Sequence, residues 1–169
     1  MGNLKLFVLF GFILQLGSSY QLTSDAGRIG PCPHPYEDVG GHCLHFTDVV
    51  KGNWSEMREY CHEVGGEMLK LDDANLIYDI QRYVEDDRVT ASYFYVGGSD
   101  LDHEGDWRWT DGSPVKMRSP FWGFNCGADG FTREPTNKEG EDCLYISKSS
   151  FFFMHDCFCT NKYSVICEY

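Results

Sequence analysis

Eight cysteines, at positions 32, 43, 61, 126, 143, 157, 159 and 167, constrain this 169-residue chain more than any other feature. An even count suits a disulfide framework, and disulfides persist only where the compartment is oxidising. The amino terminus points to such a compartment. Lys5 supplies a positive charge, Leu6 to Leu14 is an apolar run broken only by Gly11, and Gly17, Ser18 and Ser19 are small. That pattern reads as a signal peptide over residues 1–19, cut after Ser19. The apolar run is well short of the roughly 20 residues a membrane span needs, and no later segment is apolar enough to insert. A secreted, extracellular protein with all its cysteines paired is therefore expected. The count by itself leaves the connectivity open. Zinc is the competing use of cysteine, but Cys157-Phe158-Cys159 is tighter than the usual gap of about two to four residues between zinc ligands.

The remaining chain, about 150 residues, suits one domain. The formal net charge is −12, and loss of Lys5 with the signal peptide leaves 13 basic against 26 acidic residues, a net of −13. Such a balance argues against a nucleic-acid partner, since phosphate binding needs Lys and Arg. Clustered carboxylates suit hard cations such as calcium, which take oxygen ligands.

Residues 20–31 form a short polar leader with no heptad or Gly-X-Y period, hence no oligomerising stalk. Pro33, Pro35, Gly40 and Gly41 between Cys32 and Cys43 read as a tight hairpin, with Leu44 to Phe46 continuing its second strand. Asn53 and Glu56 have capping-box spacing, and Trp54, Met57, Tyr60, Cys61 and Val64 follow at helical spacing until Gly65-Gly66. Asn53 also lies in a glycosylation sequon; the capping reading is preferred because a glycan on the amide would compete with the cap. A second helix spans Ala74 to Val84, its apolar face made by Leu76, Ile77, Ile80, Tyr83 and Val84. Tyr93 to Val96 reads as a strand ended by Gly97-Gly98. From Ser99 to Asp142 no period is sustained. A loop this long is functional or disordered. Trp107, Trp109, Phe121, Trp122, Phe124 and Phe131 give this one an expected core of its own. The Phe151-Phe152-Phe153 run is also read as core. Three strands close the chain: Leu144 to Ile146, Phe151 to His155, and Ser164 to Glu168.

This order of elements comes with Trp107-Arg108-Trp109-Thr110-Asp111-Gly112-Ser113-Pro114, Glu134-Pro135, Glu141-Asp142-Cys143, and His155-Asp156 followed by Cys159 and Cys167. In combination it resembles the long form of the C-type lectin-like domain, over residues 32–169. The short leader and the Pro33-His34-Pro35-Tyr36 hairpin resemble secreted single-domain lectins of invertebrates. The resemblance implies an α+β fold: two helices flanking a small antiparallel sheet, with a long loop region, stapled by disulfides. It pairs Cys32 with Cys43, Cys61 with Cys167, and Cys143 with Cys159. It leaves Cys126 and Cys157, extra to the pattern, to pair with each other.

In sugar-binding members of that family one calcium ion is held by two Glu/Asn pairs and an Asp, and also accepts two sugar hydroxyls. Glu134, Glu141 and Asp156 match the acidic ligands. Thr136 and His155 stand where the mannose-type pattern has Asn, and Met154 where it has Trp. The three charges are kept and both amides lost. Thr136 still offers a hydroxyl, whereas an imidazole suits softer metals than calcium and is left to hydrogen-bond a sugar. Asp100, Glu104, Asn137 and Asp142 fall at the ligand positions of a second, structural calcium site, with Asn137 replacing an acid. The resemblance implies a calcium-dependent lectin for glycans on microbial or host surfaces, in innate defence. With Glu134 and Glu141 as acceptors and Thr136 and His155 as donors, the polarity is mannose-like. The alternative keeps the fold but binds a protein or other non-sugar ligand without calcium. No Ser or Cys sits in a catalytic pattern, so an enzyme is not expected.

Overall fold

The computed structural model describes residues 32–85, 88–127, 130–136 and 138–169, the side chains of residues 126 and 127 excepted. The signal peptide and leader assigned to residues 1–31, and Asn137, lie outside the described residues. Among those described, no helix is long and apolar enough to cross a membrane.

The two helices form where local chemistry favours them. In α1 (Trp54–Glu63), Asn53 Oδ1 accepts from the Glu56 amide and Glu56 Oε2 accepts from the Asn53 amide, both at 2.8 Å, so two free donors are satisfied at once. Its buried face is Trp54, Met57 and Cys61. α2 (Ala74–Glu85) buries Leu76, Ile77, Ile80 and Val84 and runs one residue past the expected end.

The hairpin β1 (Glu37–Val39) and β2 (His42–Phe46) turns at Gly40 and Gly41, both at positive φ. β3 is Glu67–Met68, β4 Tyr93–Ser99 and β5 Arg108–Trp109. Inside the long loop lie β6 (Phe124–Gly127) and β7 (Gly130–Arg133), then β8 (Cys143–Ser147), β9 (Met154–Cys157) and β10 (Ser164–Glu168) close the chain. The main sheet runs β1-β2-β10-β4-β8-β9, with β3 on β10 and β5 on β4, while β6 and β7 form a separate ribbon. Its pairings are antiparallel except β4 with β10.

Strand alternation divides the core in two. Phe94, Val96 and Ile166 face a layer with α2, and Trp107, Trp109, Phe121 and Trp122 of the long loop join it. Tyr95, Val165 and Cys167 face the other side with Trp54 and Met57 of α1. Among the described residues, three disulfides staple these layers: Cys32–Cys43, Cys61–Cys167 and Cys143–Cys159. Each contributes about 2–4 kcal/mol in the chain-entropy picture.

Three expectations are corrected, and a fourth, the Cys126–Cys157 bond, falls on a side chain outside the described residues; Cys157 is buried, with no disulfide partner among those described. It stands opposite Cys143 in the β8–β9 register, its thiol 3.4 Å from the Cys143 carbonyl, whereas Cys126 belongs to the separate ribbon and its side chain lies outside those described. β4 does not stop at Gly97-Gly98. A Cβ on Gly98 would press into Leu144, so these glycines permit close packing within a continuing strand. Phe124 and Phe131 are 59% and 82% exposed, on the ribbon and not in a loop core. Phe151 is 70% exposed, and with Phe152 adopts positive φ (53° and 59°), forming a turn that delays β9 to Met154.

Gly98→Ala tests the close packing. Overpacking against fully buried Leu144 should cost about 1–3 kcal/mol. A urea midpoint equal to that of the wild type would contradict it.

Candidate functional site

β7 delivers the chain at Arg133 into Glu134-Pro135-Thr136, joined by a cis Glu134–Pro135 peptide bond. β9 brings His155 and Asp156 opposite Tyr145 and Leu144 of β8. These two segments meet. The Thr136 amide donates to Asp156 Oδ2 at 2.9 Å. The Thr136 hydroxyl lies 3.1 Å from the same oxygen and 3.0 Å from Glu141 Oε2, and with one proton can donate to only one of them at a time. Lys138 Nζ reaches Glu141 Oε1 at 3.3 Å from an exposed position. His155 Nδ1 sits 3.3 Å from Glu134 Oε1 in a pair that is almost wholly buried. All five expected ligand-binding residues, Glu134, Thr136, Glu141, His155 and Asp156, are thus linked by direct contacts.

Burial sets the electrostatics. Glu134 and Asp156 are 3% and 8% exposed, and one oxygen of each, Glu134 Oε2 and Asp156 Oδ1, has no hydrogen-bond partner. Burial raises the Asp156 carboxyl to about 6, helped by its hydrogen bond with Glu134. Burial also raises Glu134, but hydrogen bonds from His155 and Asp156 outweigh it and hold Glu134 below its usual range. The two carboxyls lie close enough to share a proton, with Asp156 as its holder. A divalent cation meets the same need with more charge, so the donor chemistry fits a hard, oxygen-seeking ion.

The second acidic set is more exposed. Asp100 is buried, accepts from the Gly105 amide at 2.8 Å through Oδ2, and leaves Oδ1 without a partner. Burial raises its carboxyl, and the charges of Asp142 and Asp156 raise it further. Glu104 is raised by desolvation and then by Asp100 and Asp142. Asp100, Glu104 and Asp142 therefore crowd one another, while Asn137 lies outside the described residues. Among the described residues, no three His, Cys, Asp or Glu side chains stand in metal-holding geometry. In the first set the Thr136 hydroxyl lies between two of the acids.

Two residues at the site were not anticipated. Asn125 Nδ2 donates to Glu134 Oε1. The ribbon register explains it: Asn125 pairs with Thr132, which shares a face with Glu134 two residues on. An alternation of Phe124 and Asn125 ahead of a Gly-x-x-Gly turn was the available signal. Gly123 is the other: a Cβ there would collide with His155 Nε2, so only glycine lets the imidazole lie where it does.

The C-type lectin domain model matches residues 50–169. The chain belongs to the C-type lectin domain family. Within it, the chain is 30% identical over 152 residues to mouse CD209 antigen-like protein C, covering 88% of this chain and 75% of that protein. It is 29% identical over 144 residues to human C-type lectin domain family 17, member A, covering 85% of this chain but only 33% of that protein's length. Among solved folds, the C-type lectin domain of murine dendritic cell inhibitory receptor 2, in complex with N-glycan, superposes with TM-score 0.62 at 21% identity, over 82% of this chain and 98% of that one. A calcium-independent type II antifreeze protein superposes with TM-score 0.61 at 23% identity, over 82% and 93%.

The shared proton sets a pH dependence for this lectin domain. With cations chelated, Asp156 holds its proton up to about pH 6 when folded, against 3.8 for an ordinary Asp. Folding takes up a proton between those values, so this group's contribution to stability is full below the lower one and falls as pH rises through the window. Urea midpoints of wild type and Asp156→Asn across about pH 4 to 7 should show that decline in the wild type and a flatter profile in the variant. Equal slopes would contradict the shared proton.

Proposed function

We propose that this domain is a secreted lectin that recognises carbohydrate through a calcium ion held by Glu134, Glu141 and Asp156, with Thr136 adding a hydroxyl. The observation that carries the reading is the pair of orphaned oxygens on two carboxylates buried against each other. Fold alone does not choose, because the same fold serves both a domain solved with N-glycan and a calcium-independent antifreeze protein. The site's chemistry has to decide. When bound, the ion supplies charge for the carboxylates and coordination for vicinal sugar hydroxyls. The residues do the rest. Glu134 and Glu141 accept hydroxyl protons, and Thr136 donates. Asn125 holds Glu134 in place from the ribbon and brings an amide to a site that lacks both amides of the mannose-type pattern. His155 fills the space over Gly123 and steadies the Glu134 carboxylate.

This polarity favours mannose-type hydroxyl pairs on glycans of microbial or host surfaces, in a defence role, and binding rather than catalysis. The short Thr136 side chain makes single-site affinity weak, so useful binding comes through multivalent display. A second reading is favoured by one observation. His155 and Asn125 already engage Glu134 Oε1, which satisfies part of the charge without a cation. That reading is a calcium-independent domain for a protein or other non-sugar ligand.

Calcium at a hundredfold excess over its Kd should stabilise the fold by about 2.7 kcal/mol. A melting temperature unmoved between chelator and millimolar calcium would favour the second reading. In calcium, free mannose should inhibit glycan binding better than free galactose, and the reverse order would refute the polarity argument. Thr136→Asn combined with His155→Asn should strengthen mannose binding. If inhibition constants do not change, sugar binds elsewhere.

A further inference from the structure

A second cleft lies at the far end of the sheet. β4 opens at Tyr93 and reaches the acidic loop only after Ser99, seven residues or about 20 Å along the strand. At the Tyr93 end a cleft of about 280 Å³ is lined by Asp48, Lys51, Thr90, Ser92, Tyr93, Lys162 and Tyr163, with Ala91 beneath.

Its walls are pinned. Asp48 Oδ1 accepts from the Thr90 amide at 2.8 Å and the Ala91 amide at 2.6 Å, fixing the segment before α1 to the segment before β4. Gly52 and Tyr163 exchange two backbone hydrogen bonds of 3.1 Å, which hold Lys51 beside the start of β10. Tyr93 and Tyr163 stack with centroids 5.2 Å apart and planes 18° apart, and Tyr93 stays 45% exposed. One tyrosine therefore braces the other, and both line the cleft.

Lys162 is bound to Glu56 at 2.6 Å, and the Asp48 carboxylate is held by the Thr90 amide and hydroxyl and the Ala91 amide. Lys51 has no ion-pair partner among the described residues. Its ammonium thus stands unpaired beside a cleft in a chain of net charge −12. A pre-formed cleft with an aromatic face, hydroxyls and one unpaired cation takes a ring with an apolar face, hydroxyls and one negative charge.

We propose that this cleft is a second ligand site for an acidic monosaccharide unit, with Tyr93 against the ring and Lys51 on its anionic group. It needs no calcium and does not rest on the reading of the loop site.

The test is an NMR titration of the full chain in excess chelator, with glucuronate as probe and glucose and sodium sulfate as parallel arms. Glucuronate should shift the amides of residues 48–52, 90–93 and 162–163 saturably. Glucose and sulfate should each bind about tenfold more weakly, having lost the charged contact or the ring. Lys51→Gln, at an exposed position, should lower glucuronate to the glucose level with an unchanged melting temperature. Sulfate binding as tightly as glucuronate would make this a bare anion site and overturn the proposal. So would shifts confined to the residues around Glu134, or no shifts at all. Because chelator removes calcium from the loop, failure here leaves the calcium-dependent reading to be judged separately.

Discussion

Glu134 and Asp156 are each more than nine-tenths buried, and two carboxylates buried together cannot both stay charged and uncompensated. Removing such groups from water costs several kcal/mol each, about 2 or more even after relaxation, unless something restores the lost interactions. Here three residues contribute, His155, Asn125 and Thr136. His155 and Asn125 bond to one oxygen of Glu134, and the Thr136 amide and hydroxyl approach one oxygen of Asp156. Glu134 Oε2 and Asp156 Oδ1 are left without a partner, and burial raises the Asp156 carboxyl to about 6. The segments carrying Glu134, Thr136 and Asp156 are organised about this compensation, so their geometry and their chemistry are one problem.

The long loop can carry a buried charge because it is anchored like a core element. Trp107 and Trp122 meet edge to face with centroids 5.8 Å apart, and both are almost wholly buried. The Glu134 amide donates to the Gly123 carbonyl at 3.0 Å, and the Gly123 amide to the Met154 carbonyl at 2.8 Å. That ladder ties β9, the Trp122–Gly123 segment and the Glu134 turn into one stack. The Cys143–Cys159 bridge closes the sheet side of it. Met154, where the mannose-type pattern has tryptophan, is buried in the same core as Trp122 and so keeps its apolar role.

What was legible in the sequence is what local chemistry decides. Asn53 and Glu56 wrote the start of α1, the spacing of Leu76, Ile77, Ile80 and Val84 wrote the face of α2, and Gly40-Gly41 wrote the first turn. Glu134, Glu141, Asp156, Thr136 and His155 were legible through family resemblance, and the structure brings them together. The rest depended on partners distant in sequence. Gly97 and Gly98 look like a strand end until Leu144 packs over Gly98 and the Met68 carbonyl approaches Gly97. Three consecutive phenylalanines look like core, yet of the three only Phe152 is buried, while Phe151 turns outward on left-handed backbone. Asn125 reaches Glu134 only because a ribbon folds back on itself. The Cys126–Cys157 pairing rested only on the two being left over by the family pattern, and the Cys126 side chain lies outside the described residues.

The central claim is that the buried carboxylates are arranged to hold a cation that in turn holds ligand. A crystal structure grown in calcium and mannose tests it most directly. The account predicts an ion about 2.3–2.6 Å from oxygens of Glu134, Glu141 and Asp156, with the proton between Glu134 and Asp156 displaced and two sugar hydroxyls on the ion. Carboxylates still paired with each other and with Thr136, with no ion among them at millimolar calcium, would contradict it.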